Sequence, residues 1–289
     1  MATAAQWLEG ARPRTLLTAV APVAVGTGVA AHGGSPIWWR AAVALVVGLA
    51  LQIGVNYAND YSDGVRGTDT TRVGPLRLVG SGAAPPRAVK AAAFGCFAVA
   101  AAAGFALAAV TSFWLLLVGA AAIAAAWTYT GGARPYGYRA LGELSVFVFF
   151  GLVATIGTAF VQTERLGWLE VVTAVPVGLL ACALLVVNNL RDVAGDAVSG
   201  KRTLAVLVGP TRSRLLYAVL VLLPFGFAAG LGAVSPYAPL ALIALPLAIA
   251  AVRPVLRGAV GADLIPSLRD TGMVQLGYGV LLAVGLALG

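Results

Sequence analysis

Residues 171–190 read VVTAVPVGLLACALLVVNNL, a stretch of 20 residues without a charged side chain. A run of about 18 or more mainly apolar, uncharged residues is typical of a helix that spans a lipid bilayer. The stretch ends at Arg191 and leads directly into a segment that carries Asp192 and Asp196. The sequence therefore predicts a membrane-spanning helix with a carboxylate-rich end, and this combination decides the fold class.

Similar apolar segments recur along the whole chain. Of its 289 residues, 60% are hydrophobic and 10% are charged, whereas a soluble domain carries roughly 25% charged residues. We predict an all-α membrane protein that forms a single domain over residues 1–289, with about nine transmembrane helices. The predicted spans are 15–31, 37–58, 88–110, 112–131, 141–161, 169–190, 213–231, 236–256 and 271–288.

Basic residues are concentrated on one predicted side of the membrane. With these spans, 17 of the 19 Lys and Arg residues share the side of the N-terminus, and only Arg40 and Arg165 lie on the other side. The positive-inside rule then places the N-terminus in the cytoplasm and the C-terminus outside. The net charge of +8 is thus mainly a consequence of topology, and no nucleic-acid partner is expected because no soluble domain offers a basic face.

Acidic residues are also concentrated, in two segments that match each other. The first motif covers residues 56–69 and the second covers residues 189–203. At a constant offset of 133 residues the matched pairs are Asn56 and Asn189, Asn59 and Asp192, Asp63 and Asp196, Val65 and Val198, and Gly67 and Gly200. Four predicted spans separate the motifs, so both emerge on the same side. This pattern is typical of two pseudo-repeated halves that share one site.

Each motif places its polar side chains at helical spacing. Positions i, i+3, i+4 and i+7 share one face of a helix, so the first stripe contains Asn56, Asn59, Asp60 and Asp63. Asn189, Asp192 and Asp196 form the second. Buried carboxylates that face each other need a counter-charge. Oxygen ligands without His or Cys suit Mg²⁺, which is usually held by one or two carboxylates together with phosphate oxygens of a substrate.

The sequence therefore predicts a magnesium and diphosphate site between the two motifs. The predicted metal ligands are Asn59, Asp60, Asp63, Asp192 and Asp196. The four aspartates of this set are also the predicted catalytic residues. Basic side chains close to the motifs are candidates for binding the diphosphate. They are Arg66, Arg72, Arg77, Arg191, Lys201 and Arg202.

Several short motifs, taken together, resemble those of a known family. They are ARPRT at 11–15, NDYSD at 59–63 with GTD at 67–69, RVGPLR at 72–77, YTGG at 129–132, LGE at 141–143 with VFVFFG at 146–151, and GKRTLAV at 200–206. Over nearly the whole chain this set resembles the UbiA-type intramembrane prenyltransferase superfamily. It is most similar to the branch that prenylates 1,4-dihydroxy-2-naphthoate in menaquinone biosynthesis. Many superfamily members carry an acid where this chain has Gly67, and the naphthoate branch shares the later position of Asp69.

The resemblance implies a fold and a reaction. The implied fold surrounds a central polar cavity that opens near the cytoplasmic face of a bacterial membrane. The implied reaction is the Mg²⁺-dependent transfer of a polyprenyl chain from polyprenyl diphosphate to 1,4-dihydroxy-2-naphthoate, with loss of CO₂, to give demethylmenaquinone. Candidates for binding the acceptor or stabilising an allylic cation are Tyr57, Tyr61, Tyr129, Glu143, Asn56 and Asn189. The tyrosines could equally be interface residues, and Glu143 could instead balance Arg139.

Other functions remain open at this point. Acids within membrane helices also mark ion paths in transporters, but here they gather at one membrane face. Phosphotransferases that use nucleotide-activated alcohols carry one contiguous acidic motif, which this sequence lacks. Within the superfamily, 4-hydroxybenzoate, homogentisate and haem are alternative acceptors, and a sugar phosphate donor in place of a prenyl acceptor is a further alternative. The sequence leaves the prenyl length and the oligomeric state open.

Overall fold

The computed structural model describes residues 2–34, 36–67 and 76–289. Regular structure in these ranges is helical, apart from an isolated bridge between Arg139 and Arg202. The predicted all-α fold class is therefore confirmed. A lipid environment favours this outcome, because a helix satisfies its backbone hydrogen bonds internally.

Eleven helices follow one another along the described part of the chain. In chain order they are α1 (Ala4–Gly10), α2 (Leu17–His32), α3 (Trp38–Arg66), α4 (Pro86–Val110), α5 (Leu115–Thr128), α6 (Gly142–Thr163), α7 (Trp168–Val198), α8 (Leu204–Val208), α9 (Pro210–Ala233), α10 (Ala238–Leu256) and α11 (Gly261–Ala287). Each predicted span overlaps one of these helices. Seven of them, α3, α4, α6, α7, α9, α10 and α11, are long and apolar enough to cross a membrane.

Two segments differ from simple spans. The N-terminal pair Ala4–Thr15 and Leu17–His32 forms a further candidate span, bent by 48°. Helix α5 has 14 residues, whereas a straight crossing needs about 20. The chain is a multi-pass membrane protein on this basis, and the number nine stays a prediction.

Helices α3 and α7 carry the two polar motifs, and both end at matched glycines. Gly67 caps α3 with a φ of 72°, and Gly200, with a φ of 77°, follows the cap of α7. Glycine adopts this left-handed conformation without the steric cost that a Cβ atom imposes. The offset of 133 residues seen in the sequence thus recurs in the backbone.

Buried apolar side chains form two clusters. One joins residues of α3, α4 and α5 with Ala11, Leu78 and Ala84, and the other joins α2, α6, α7, α9, α10 and α11. Helix α2 contacts α3, α6, α7 and α11, so it lies at the boundary between the clusters. This arrangement leaves room for a cavity beside α2.

Helix α6 contains a π-helical segment, Phe147–Val153, where it crosses α7. The two backbones come very close at this point. A Cβ atom built on Gly151 would lie 2.4 Å from the Cα atom of Gly178. Only glycine permits such a contact, which fixes the position of α6 against the helix that carries the second motif.

Candidate active site

A cavity of about 360 Å³ lies between α2, α3, α5, α6 and α7. Its lining residues on α3 recur at helical spacing and are Ala44, Val47, Gly48, Leu51, Gln52, Val55, Asn56, Asn59 and Asp63. The lining is apolar in the first half of this set and polar in the second half. From Ala44 to Asp63 the helix rises by about 28 Å, so the cavity wall is long and has one polar end.

Helix α7 lines the same cavity with the same change of polarity. Its apolar contributors are Ala181, Leu184 and Leu185, and its polar contributors are Asn188, Asn189, Asp192 and Asp196. All three matched polar pairs of the sequence repeat therefore line one cavity. The structure brings the two motifs together although 133 positions separate their matched residues.

Lys201 and Tyr138 connect the two motifs at the polar end. The Nζ atom of Lys201 lies 3.1 Å from Oδ2 of Asp63, and the hydroxyl of Tyr138 donates a hydrogen bond to the other oxygen of that carboxylate. The backbone N–H of Lys201 donates to the carbonyl oxygen of Asp196 at 2.9 Å. The backbone N–H of Arg202 donates to the carbonyl oxygen of Tyr138 at 3.1 Å. The segment that follows α7 is thereby fixed to the end of α3.

Asp192 has a separate cationic partner. Arg191 donates from Nε and Nη2 to the two carboxylate oxygens of Asp192, each at 2.7 Å, and Nη2 also donates to Oδ1 of Asn188 at 3.0 Å. Both ionic side chains are buried. A planar guanidinium matches a carboxylate in this two-point geometry, so the charge of Asp192 is balanced locally.

Asn59 and Arg66 hold the segment that follows α5. The hydroxyl of Thr130 donates to Oδ1 of Asn59 at 2.7 Å. Arg66 donates to the carbonyl oxygens of Thr130 and Gly132. Arg66 does not line the cavity, and neither does Arg202, whose side chain is exposed.

The remaining predicted cations and acids have different positions. Arg77 and Lys201 line the cavity. Arg72 and Asp69 lie outside the described residues. Asp60 is almost fully buried but does not line the cavity, and its two carboxylate oxygens accept the backbone N–H groups of Leu78 and Val79 at 2.7 and 3.0 Å.

One of the three candidate tyrosines lines the cavity, namely Tyr129. The hydroxyl of Tyr57 donates to the carbonyl oxygen of Trp7 at 2.9 Å. The ring of Tyr61 stacks on that of Trp127, and Lys90 lies over it. Tyr57 and Tyr61 therefore contact α1, α4 and α5, away from the cavity lining.

A second polar group lies on the α6 side of the cavity. Asn189 lines the cavity and donates from Nδ2 to Oε1 of Glu143 at 3.0 Å, while Oε2 of Glu143 is buried without a hydrogen-bond partner in the described part of the chain. Tyr136 and Ser145 also line it, with their hydroxyl oxygens 2.8 Å apart. Burial raises the pKa of Tyr136, so its hydroxyl stays protonated near neutral pH.

Asn56 connects the polar end to the N-terminal segment. Its Nδ2 atom donates to the carbonyl oxygen of Ala11 at 2.9 Å and to Oγ1 of Thr15 at 3.1 Å. These bonds hold the ARPRT motif next to the cavity. Asn56 therefore positions this segment.

A family model described as the UbiA prenyltransferase family matches residues 19–260 of the chain. The chain belongs to the UbiA prenyltransferase family. As a member, it is a prenyltransferase, which confirms the class predicted from its motifs.

Two curated relatives of this UbiA-family chain share one name. It is 52% identical to the 1,4-dihydroxy-2-naphthoate octaprenyltransferase of Mycobacterium tuberculosis, over 100% of this chain and 99% of that protein. It is 40% identical to the protein of the same name from Escherichia coli, over 75% of this chain and 72% of that protein.

Solved structures show the same fold. A UbiA homolog from Aeropyrum pernix matches with a TM-score of 0.74 at 18% identity, covering 94% of this chain and 98% of that one. A UbiA homolog from Archaeoglobus fulgidus, solved with GPP and Mg²⁺ bound, matches with a TM-score of 0.68 at 16% identity, covering 96% and 99%.

The donors at the polar end of the UbiA-family cavity fit a hard divalent cation. The polar side chains of α3 and α7 that line it are carboxylates and amides, whose oxygen atoms Mg²⁺ prefers. Within the described ranges, no three His, Cys, Asp or Glu side chains lie close enough together to form a metal centre by themselves. Mg²⁺ commonly completes its coordination with water and substrate phosphates, so the donor set fits a cation that is bound together with a phosphate ligand.

Arg12 is a site residue that the sequence interpretation missed, because it was counted only toward membrane topology. It lines the cavity, and its Nη2 atom is buried without a hydrogen-bond partner in the described part of the chain. Its backbone has a φ of 55°, in the left-handed region that side chains other than glycine rarely adopt. The available signal was its position in the ARPRT motif, one residue before Pro13.

Proposed function

We propose that this chain transfers a polyprenyl group from polyprenyl diphosphate to 1,4-dihydroxy-2-naphthoate in a Mg²⁺-dependent reaction that releases CO₂ and yields the quinol form of demethylmenaquinone. The observation that carries the proposal is the change of polarity along the cavity. All three matched polar pairs lie at one end together with Gln52 and Asn188, and the rest of the lining on α3 and α7 is apolar. A ligand with an anionic head and a long apolar tail has this shape. The names of the curated relatives support the choice of acceptor.

The polar end supports binding of the diphosphate head. We assign Asn59, Asp63, Asp192 and Asp196 as the residues that would hold Mg²⁺, which supplies charge neutralisation of the leaving group when bound. Asp60 is left out of this set because its carboxylate is bonded to backbone N–H groups away from the cavity. Arg12, Arg77 and Lys201 line the cavity and are assigned to the diphosphate oxygens.

The apolar part of the cavity supports binding of the prenyl tail and exclusion of water. Val118 and Ala122 of α5 and Phe149, Phe150 and Val153 of α6 line it. Each CH₂ group moved from water into such surroundings contributes roughly 0.8 kcal/mol. A dry wall also protects an allylic cation from reaction with water.

The reaction forms one carbon–carbon bond and breaks two bonds. The ring carbon of the acceptor that bears the carboxylate attacks the allylic carbon, whose bond to the diphosphate oxygen breaks. The bond to the carboxylate carbon then breaks, CO₂ leaves, and its electron pair restores the aromatic ring. Asn189, held by Glu143, and Tyr129 line the cavity where they can orient the acceptor and face the positive charge.

The proposed location is the bacterial cytoplasmic membrane, with the polar end of the cavity on the cytoplasmic side. The distribution of Lys and Arg between the predicted connections supports this orientation. Polyprenyl diphosphate and the lipid bilayer are the proposed partners, together with the aromatic acceptor.

The test is a direct assay of transfer. Purified protein in detergent is incubated with Mg²⁺, labelled octaprenyl diphosphate and 1,4-dihydroxy-2-naphthoate, and the products are separated by chromatography. We expect a prenylated, decarboxylated product that is lost with EDTA and in Asp63→Asn and Asp192→Asn variants. Asp263→Asn, an exposed position outside the cavity, is the matched control and keeps activity. Turnover only with 4-hydroxybenzoate or homogentisate would overturn the acceptor, and no diphosphate release with any acceptor would overturn the reaction.

A further inference from the structure

Lys201 forms a buried ion pair with a proposed metal ligand. Its Nζ atom lies 3.1 Å from Oδ2 of Asp63, with 9% and 4% of the two side chains exposed. The ring of Tyr138 lies beneath the ammonium group, at 4.9 Å from Nζ to the ring centroid. Lys201 and Asp63 both line the cavity, so this positive charge occupies the same polar end that the diphosphate and its cation would enter.

A buried carboxylate needs a counter-charge, because burying a charge without a partner is costly. Lys201 supplies that charge to Asp63 in this structure. A divalent cation held by Asp63 would supply it instead, and its positive charge would repel the ammonium group at the same carboxylate. The ammonium group is carried by a flexible four-carbon chain, so it can leave Asp63 while its backbone stays bonded to Asp196.

We propose that Lys201 is an exchangeable counter-ion: it neutralises Asp63 while the site holds no metal, is displaced when a divalent cation binds, and then contacts the diphosphate oxygens. The inference rests on the proposed function, since it assigns the order in which charges enter that site. It gives Lys201 opposite effects on the binding of the metal and on the binding of the diphosphate. Its ammonium group competes with the metal and assists the diphosphate.

Substitution of Lys201 separates these effects. In Lys201→Gln we expect Mn²⁺, used alone as the probe and followed by electron paramagnetic resonance, to bind more tightly, on the order of tenfold. Inorganic diphosphate, titrated by calorimetry at saturating Mg²⁺, should bind more weakly, also on the order of tenfold. Arg202→Gln removes the same charge from the neighbouring exposed side chain and should leave Mn²⁺ affinity unchanged. Equal or weaker Mn²⁺ binding in Lys201→Gln would overturn the proposal.

A double substitution locates the competition. In an Asp63→Asn background, Lys201→Gln should no longer increase Mn²⁺ affinity, because the carboxylate for which the two cations compete is absent. If the increase persists, the ammonium group acts on the metal from a distance and the exchange at Asp63 is wrong.

The wild-type chain permits a second measurement that needs no substitution. Its only two lysines are Lys90 and Lys201, and Lys90 is exposed, so it serves as an internal reference for labelling with an amine-reactive reagent. We expect slow labelling of Lys201 in metal-free protein, faster labelling with Mn²⁺, and slow labelling again when inorganic diphosphate is added. Labelling of Lys201 that does not respond to Mn²⁺ would overturn the exchange.

The binding measurements with Mn²⁺ and inorganic diphosphate and the labelling of Lys201 do not depend on prenyl transfer. A chain that shows the exchange but makes no prenylated product would refute the proposed function and keep the role of Lys201. A chain that makes the product but shows no exchange would support the proposed function and refute the role of Lys201 as an exchangeable counter-ion.

Discussion

Replacing Asp60 by asparagine tests the different roles that the structure gives to two neighbouring aspartates. Asp60 is 1% exposed, and its carboxylate oxygens accept the backbone N–H groups of Leu78 and Val79 at 2.7 and 3.0 Å. Asp63 faces the cavity, whereas Asp60 does not line it. We therefore expect Asp60→Asn to lower stability while the proposed metal site is kept.

The size of the effect follows from the two bonds. A hydrogen bond to a charged group contributes about 1.5–3 kcal/mol. Asparagine keeps one acceptor oxygen and turns its NH₂ group toward the second backbone N–H, so one bond is lost and a buried donor is left without an acceptor. A loss of about 2–4 kcal/mol is expected, which corresponds to a fall in the thermal midpoint of roughly 5–10 °C.

The two cysteines provide the assay. Cys182 is buried and Cys96 is half-buried, so a thiol-reactive fluorophore reports unfolding as the thiols become accessible. We expect a lower midpoint in Asp60→Asn with Mn²⁺ affinity close to that of the wild type at a temperature where both are folded, and an unchanged midpoint in the exposed control Asp263→Asn. An Asp60→Asn protein with a wild-type midpoint that no longer binds Mn²⁺ would refute the reasoning, because Asp60 would then be a metal ligand.

Two further predictions address other parts of the site. Arg12→Gln should raise the KM for prenyl diphosphate about tenfold through the loss of one charge-assisted contact. The KM for the acceptor should change little. Steady-state kinetics that show an unchanged KM for prenyl diphosphate would contradict this prediction. Gly151→Ala should destabilise the chain by about 1–3 kcal/mol through overpacking, because the new Cβ atom would lie 2.4 Å from the Cα atom of Gly178. Gly226→Ala, where a Cβ atom meets nothing within 4 Å, is the control, and equal thermal midpoints for the two variants would refute the steric argument.

Hydropathy predicted where helices lie better than where they end. Apolar runs must form helices in lipid because no water is present to bond the backbone. The predicted spans 37–58 and 169–190 stop where polar residues begin, but the helices continue to Arg66 and Val198. Hydropathy follows side chains, whereas a helix continues until its backbone is interrupted, here by Gly67 and Gly200 in the left-handed conformation.

The hydrogen bonds that complete the site could not be predicted from local sequence. Thr130 bonds Asn59, Tyr138 bonds Asp63, and Glu143 bonds Asn189. Each pair is separated by 46 to 75 positions, and no spacing rule relates such residues. Their partners depend on how the segments after α5 and at the start of α6 pack against α3 and α7.

The distinction between Asp60 and Asp63 has a signal in the sequence repeat itself. Asn56, Asn59 and Asp63 have polar counterparts 133 positions later, and all of these residues line the cavity. The counterpart of Asp60 is Val193, an apolar residue. A role shared by the two halves needs a ligand in both, so Asp60, whose counterpart is apolar, is expected to have a local role. Helical geometry permits this role, because Asp60 lies at the edge of the polar stripe, about 100° from Asn59, and its carboxylate accepts the backbone N–H groups of Leu78 and Val79.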